Sequence, residues 1–175
     1  MPDHVPMELV RPLVLWALIA GAVALLWHPV ARRTGWPPLP ARALLAWTGL
    51  VLAITLPATV APGAGGRLEH CVATPVSDIA WSLRIFGSRG LEDVMNVALW
   101  VPLGFLGVLV SRRPVAAPAM FSAGFVLVEF LQTLDPGREC DPGDMAYNSI
   151  GVAAGALAAS GFLRVRALAA DRSAK

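Results

Sequence analysis

The chain has 175 residues, of which 56% are hydrophobic and only 15% are charged. Soluble domains carry about 25% charged residues, so the composition argues against a soluble domain and points to the lipid bilayer. The formal net charge is only +2, and the basic residues form short flanks rather than a patch with aromatic residues, which argues against nucleic-acid binding.

Five apolar stretches approach the roughly 20 residues that a transmembrane helix needs. They cover about residues 13–30, 43–60, 94–110, 115–134 and 145–163, and segments rich in proline and glycine separate them. No long polar block interrupts the chain. We therefore predict an all-α fold, a polytopic transmembrane helical bundle of about five spanning helices, formed by one membrane domain over residues 1–175.

The charges are distributed unevenly between the connecting segments. With five spans, the segments after spans one, three and five lie on one side, and they hold nine basic residues and one acidic residue, Asp171. The opposite side holds five basic and eleven acidic residues. Because basic residues concentrate on the cytoplasmic side, this predicts a multi-pass protein of the cell membrane with its N-terminus outside and its C-terminus in the cytoplasm.

The longest connecting segment, residues 61–93, contains signals for a short helix. Thr74 can cap it, Pro75 suits its first position, and Gly87 can end it. At about 12 residues such a helix is too short to span a bilayer. Two interpretations remain open: a helix in the outer membrane interface, where Trp81 fits, or a helix packed on the bundle from outside.

The two cysteines, Cys71 and Cys140, both fall on the predicted outer side. Either they form a disulfide bond that ties two outer loops together, or they are two unpaired thiols. Two cysteines are too few for a zinc or iron–sulfur pattern, and the histidines are scattered, so no metal site and no cofactor are predicted.

Near the outer end of three predicted helices, a carboxylate lies three or four positions from an amide side chain, so that both share a face. A charged residue within a span is costly unless it finds a partner in the protein interior. We therefore predict one polar binding pocket that opens outward. Its predicted members are Asp93, Asn96, Glu129, Gln132, Arg138, Asp141, Asp144 and Asn148.

A purely structural interpretation applies to some of these carboxylates. Asp93 and Asp144 lie where a helix N-terminus favours negative charge. Asp135 and Asp141 begin two "DPG" sequences, which are typical of turns. Glu129 is harder to explain in this way, because it lies well inside its span.

Small residues predict close helix packing beside this pocket. Gly151 and Gly155 form a small-xxx-small pair one turn beyond Asn148. In the third span, Pro102 interrupts the pattern of backbone hydrogen bonds two residues before Gly104.

The segments "EDVMNVALWVPLGFLG" and "SAGFVLVEFLQTLDPGRECDPGDMAYNSIGVAAG" resemble the VanZ-like family over about residues 90–160. The chain departs from the family pattern at Trp100 and Val101, where phenylalanine is frequent before the proline, and at Cys140. The positions that match are Asn96, Pro102 to Gly104, Ser122, Glu129, Gln132, Arg138, Asp141, Asp144, Asn148, Gly151 and Gly155.

The resemblance implies a role in the cell envelope and in antibiotic resistance, since the family is named for a membrane protein that lowers susceptibility to teicoplanin. The first hypothesis is therefore a non-enzymatic membrane protein whose pocket binds an envelope lipid or lipid-linked cell-wall precursor, the glycopeptide or its lipid surroundings, or a partner enzyme. The alternative is a membrane-embedded enzyme that acts on a lipid-linked substrate, with Glu129 or Asp144 as general base or with several carboxylates around a hard cation, although no recognised catalytic signature is present. A transporter ranks third, because no inverted repeat is visible.

Overall fold

The computed structural model describes residues 7–57, 62, 66, 68–69, 73, 75–88, 90–138 and 140–174. Within these ranges the regular secondary structure is helical, with no strand, as the all-α prediction requires. Six helices have defined bounds: α1 (Met7–Thr34), α2 (Pro38–Thr55), α3 (Pro75–Arg84), α4 (Leu91–Ser111), α5 (Ala116–Gln132) and α6 (Pro142–Ser173).

Three of the described helices, α2, α4 and α6, are long and apolar enough to cross a membrane. A fourth span results if the two arms of α1, Val14–Val23 and His28–Thr34, are one span bent by 50°. Helix α5 has only 17 residues, the lower limit of about 17 for a span. The membrane-helical fold is thus confirmed, with three or four spans by length and composition where the hydropathy pattern predicted about five.

Helices α4 and α6 form the centre of the bundle, and their backbones touch. A Cβ atom at Gly151 or Gly155 of α6 would overlap a backbone carbonyl of α4, and one at Gly104 would overlap a carbonyl of α6. Glycine at these positions therefore lets the two helices approach more closely than side chains allow. The structure contains the close contact that the small-residue spacing predicts.

Helices α2 and α5 pack against this pair around an apolar core. The rings of Trp100 and Phe125 meet edge to face with centroids 5.0 Å apart. The indole Nε1 of Trp47 donates a 2.9 Å hydrogen bond to the carbonyl of Leu99, which fixes α2 against α4. Four helices consequently share one core and hold their ends in register.

Helix α6 continues ten residues beyond its predicted end and reaches Ser173. Its 32 residues correspond to a length of about 48 Å, longer than the roughly 30 Å hydrocarbon core. The basic final turns therefore extend beyond the apolar zone.

Helix α3 docks on the start of α6. Ser82 is buried and its carbonyl accepts a hydrogen bond from the hydroxyl of Tyr147, while the ring of Phe86 lies edge-on to Tyr147 at 5.2 Å. Trp81 and Leu83 remain exposed on the outer surface. The helix therefore packs on the bundle, which is the second of the two interpretations, and its location in the outer membrane interface stays a prediction. Its predicted cap, Thr74, lies outside the described residues.

Candidate functional site

Four helix ends meet at one end of the bundle: the ends of α2 and α5 and the beginnings of α4 and α6. The polar side chains predicted from the sequence lie at this end. We call Asn96, Glu129, Gln132, Arg138, Asp141 and Asp144 the polar cluster.

Glu129, in the last turn of α5, is only 5% exposed. Its carboxylate is hydrogen-bonded to the backbone of Asp141, and the charges that act on it are those of Asp144, Arg138 and Asp141. The buried carboxylate of α5 therefore faces the beginning of α6 and the loop before it. This places it at the middle of the polar cluster.

A hydrogen bond between side chains joins α4 to α6 at the same level. The amide Nδ2 of Asn96 donates to the Asp144 carboxylate at 2.9 Å. The N-cap of α6 is Asp141, whose Oδ1 accepts the backbone N–H of Gly143 at 2.7 Å. Because Asp141 caps the helix, Asp144 makes a contact between helices instead, and Asn148 is buried one turn further along α6.

The end of α2 belongs to the same cluster, which the sequence did not predict. The carbonyl of Thr55, the last residue of α2, accepts hydrogen bonds from Gln132 Nε2 at 2.9 Å and from an Arg138 guanidinium nitrogen at 3.0 Å. The final carbonyls of a helix lack partners within the helix, so the Gln132 and Arg138 donors supply the hydrogen bonds that the Thr55 carbonyl would otherwise miss. A signal existed in Pro57, because helices usually end before the residue that precedes a proline.

Asp93 is fully buried in the first turn of α4. Its carboxylate accepts the backbone N–H of Gly87 at 2.8 Å, at a position where Gly87 has φ +85°. Asp93 therefore holds the turn between α3 and α4, and this contact favours a structural role for it.

The two "DPG" sequences shape the loop between α5 and α6. Asp135 accepts the N–H of Gly137 at 3.0 Å, just as Asp141 accepts that of Gly143, so each aspartate closes a turn over a proline. Arg138 lies between the two turns and its side chain is exposed. The loop thus presents a cation beside buried carboxylates.

Cys140 is buried in this loop, at 4% exposure, and it is disulfide-bonded. Cys71, its predicted partner and the chain's other cysteine, lies outside the described residues. A disulfide at Cys140 restrains the loop that carries Arg138.

The polar cluster consists mainly of hydrogen-bond acceptors around one exposed cation, Arg138. Three carboxylates and two amides accompany Arg138, so the cluster has an excess of acceptors. Within the described ranges, no group of three or more His, Cys, Asp and Glu side chains is arranged to hold a metal ion. The arrangement suits a ligand that offers hydroxyl, amide or ammonium donors together with an anionic group for the arginine.

The sequence model of the family described as VanZ/LLP1 matches residues 45–164. The match begins within α2, earlier than the motifs suggested, and includes the whole polar cluster. No curated protein and no solved structure matches the chain. Because the family match covers more than half of the sequence, the chain belongs to the VanZ/LLP1 family.

Proposed function

We propose that this membrane protein acts in the cell envelope by binding the polar part of an envelope lipid or a lipid-linked cell-wall precursor at the polar cluster. By binding that precursor or changing its arrangement in the membrane, the protein would lower susceptibility to glycopeptide antibiotics of the teicoplanin type. The observation that carries the proposal is the buried carboxylate of Glu129, which faces Asp144 and Arg138 among helices that are otherwise apolar.

The energetic cost of this arrangement supports a role beyond folding. A carboxylate within a membrane helix costs about 2.5–3.5 kcal/mol at the bilayer centre and less near the end of a span. Helix α5 could hold its neighbours with apolar contacts alone, as Phe125 does one turn earlier against Trp100. An acidic side chain at this buried position is easier to explain if a ligand uses it.

The chemistry of the cluster fits one class of molecule well. Lipid-linked cell-wall precursors combine a phosphate group, sugar hydroxyls, peptide amides and an apolar chain. Arg138 offers an exposed guanidinium for the phosphate, and the carboxylates accept hydrogen bonds from hydroxyl or amide groups. The apolar chain would remain in the bilayer beside the bundle.

The predicted orientation puts the polar cluster on the side where glycopeptides act. The charge asymmetry favours an outer location for the beginnings of α4 and α6 and for the loop of Arg138. The disulfide at Cys140 agrees with this, because disulfides persist in oxidising compartments outside the cytoplasm.

The experiment is a susceptibility measurement in a glycopeptide-sensitive Gram-positive host that expresses the chain. Three variants, Glu129→Gln, Asp144→Asn and Arg138→Ala, are compared with wild type at equal membrane levels. Arg172→Gln is the matched control, because it removes a charge from the far end of α6. We expect wild type and the control to raise the teicoplanin threshold and the three cluster variants to lose most of that effect.

If all forms raise the threshold equally, the polar cluster is not the working site. If none does, binding to an envelope lipid has no effect on glycopeptides in that host. A membrane-embedded enzyme that uses Glu129 and Asp144 becomes the stronger hypothesis if precursor incubated with wild type, but not with Glu129→Gln, changes in mass.

A further inference from the structure

A groove of about 550 Å³ lies at the other end of the bundle, between the α1–α2 turn, the end of α4 and the start of α5. Its floor is apolar, with Leu44, Val110 and Phe121 from three different helices. The indole of Trp36 lines it as well and is only partly exposed. A groove of this size can hold part of a small amphiphile, since binding sites for such molecules measure about 300–1,000 Å³.

Two exposed arginines, Arg112 and Arg113, also line the groove. Arg112 has φ 58°, and its N–H bonds the carbonyl of Val108 at 2.9 Å, which ends α4 sharply. No carboxylate is among the residues that line the groove. The two guanidinium groups therefore form an anion-attracting edge beside an apolar floor.

The hydroxyls at this edge already have partners. Thr34 Oγ1 donates to the Val30 carbonyl at 2.8 Å, and Ser111 Oγ donates to the Gly107 carbonyl at 2.7 Å. Donors for a ligand consequently come from the arginines, which pair well with phosphate oxygens.

The groove also opens toward the surface that faces lipid. Met120, one of its lining residues, is 64% exposed although it lies on an apolar membrane helix. A hydrocarbon chain in the adjacent leaflet can therefore continue into the groove. Trp36 has the amphipathic character that favours the level of lipid headgroups.

We propose that this groove is a binding site for an anionic phospholipid, whose phosphate contacts Arg112 and Arg113 and whose acyl chain lies on the apolar floor. Basic pockets between membrane helices are known to bind anionic headgroups. The site is separate from the polar cluster, because the length of α4 lies between them.

The test measures lipid retention by the purified, full-length protein in detergent, using native mass spectrometry. Dioleoyl phosphatidylglycerol is compared with dioleoyl phosphatidylcholine, which has the same chains but no net charge. Glycerol 3-phosphate, offered as a competitor, distinguishes a lipid site from a site for a free phosphate ester.

Two variants test the proposed lipid site independently. Arg112→Gln combined with Arg113→Gln removes the charges, while Ala116→Trp fills the groove and leaves the charges in place. Their controls are Arg164→Gln with Arg172→Gln on α6, and Ala153→Trp on the exposed face of α6. Elution volume and melting temperature show whether each variant is folded.

We expect wild type to prefer phosphatidylglycerol on the order of tenfold, given the contribution of two basic residues near a headgroup. Both groove variants should lose that preference, both controls should keep it within twofold, and glycerol 3-phosphate should not displace the lipid. Retained preference in either groove variant overturns the proposal. Displacement by glycerol 3-phosphate at concentrations similar to the lipid's also overturns it, in favour of a free phosphate ester.

Discussion

The polar cluster and the groove lie at opposite ends of the bundle and differ in how their charged side chains are accommodated. At the polar cluster, carboxylates are buried or half-buried and find partners on neighbouring helices, as Asn96 and Asp144 do at 2.9 Å. At the groove, Arg112 and Arg113 are exposed beside an apolar floor. The first end is organised by bonds within the protein, whereas the second leaves its charges available to the surroundings.

This difference indicates at which end the side-chain contacts contribute to the stability of the fold. Hydrogen bonds between helices form only if α2, α4, α5 and α6 keep their relative positions. Removing these bonds should therefore lower the free energy of unfolding. Exposed arginines at a helix end require only that α4 stops at Ser111. Substitutions should therefore affect stability strongly at the polar cluster and weakly at the groove.

The largest loss of stability is expected from Gly155→Leu, which breaks the close contact between α4 and α6. A Cβ at Gly155 already overlaps the Val101 carbonyl, so the helices must separate. Overpacking of this kind costs about 1–3 kcal/mol and occasionally more. The melting temperature in detergent should fall by about 5 °C or more.

Gly161→Leu is the matched control on the same helix, because a Cβ there meets nothing within 4 Å. It should leave the melting temperature within about 2 °C, as expected for a surface change that costs little free energy. Equal destabilisation by the two substitutions would mean that α4 and α6 do not pack through these glycines.

A smaller effect should appear in a double-mutant cycle on Asn96→Ala and Asp144→Ala. Hydrogen bonds to charged groups contribute about 1.5–3 kcal/mol, and residues in contact couple by about 0.5–3 kcal/mol. We expect a coupling of about 1–2 kcal/mol from unfolding free energies. Asn96→Ala with Arg172→Gln should be additive, and additivity in the Asn96–Asp144 cycle as well would contradict the contact.

The N-cap of α6 gives a comparable but purely local effect. Asp141→Ala removes the acceptor for the Gly143 N–H, and losing such a cap costs about 1 kcal/mol. Asp141→Asn keeps an oxygen at that position and should retain most of the stability. If thermal denaturation finds Asp141→Asn as unstable as Asp141→Ala, the charge of Asp141 matters more than its capping bond.

The smallest effect is expected at the groove. Arg112→Gln with Arg113→Gln should change the unfolding free energy in lipid-free detergent by no more than about 0.5 kcal/mol, because both side chains are exposed. Added phosphatidylglycerol should raise the melting temperature of wild type but not that of this variant, since a ligand stabilises only a state that binds it. A large loss of stability without lipid would show that the arginines support the fold itself.

Side-chain patterns in the sequence were sufficient to predict part of the helix packing and of the loop between α5 and α6. The spacing of Gly151 and Gly155 predicted a close helix contact, and the carboxylates and amides near the helix ends predicted that polar side chains would gather at one end of the bundle, but not which of them would be bonded to each other. The two "DPG" sequences predicted turns, and both turns have the expected aspartate-to-glycine bonds.

Other features depend on contacts to backbone carbonyls, and residue types do not indicate which side chain will donate to them, even where Pro57 signals the end of α2. The Thr55 carbonyl collects two donors, and the Ser82 carbonyl anchors Tyr147, but any residue supplies such a carbonyl. Three or four of the described helices meet the length and composition criteria for a span, where hydropathy predicted about five, because α5 has only 17 residues and the two arms of α1 count as one span only if the helix is bent by 50°.

The most direct test of the central claim is a binding measurement on the polar cluster. Purified wild type, Asp144→Asn and the control Arg172→Gln would be titrated in one detergent with a disaccharide-pentapeptide linked to undecaprenol through a diphosphate, the chemical form of a cell-wall precursor. We predict saturable binding by wild type and the control and at least about tenfold weaker binding by Asp144→Asn, measured well below the melting temperatures of all three proteins. Tenfold corresponds to about 1.4 kcal/mol. Equal affinity for all three proteins, or no binding by any, would contradict this prediction.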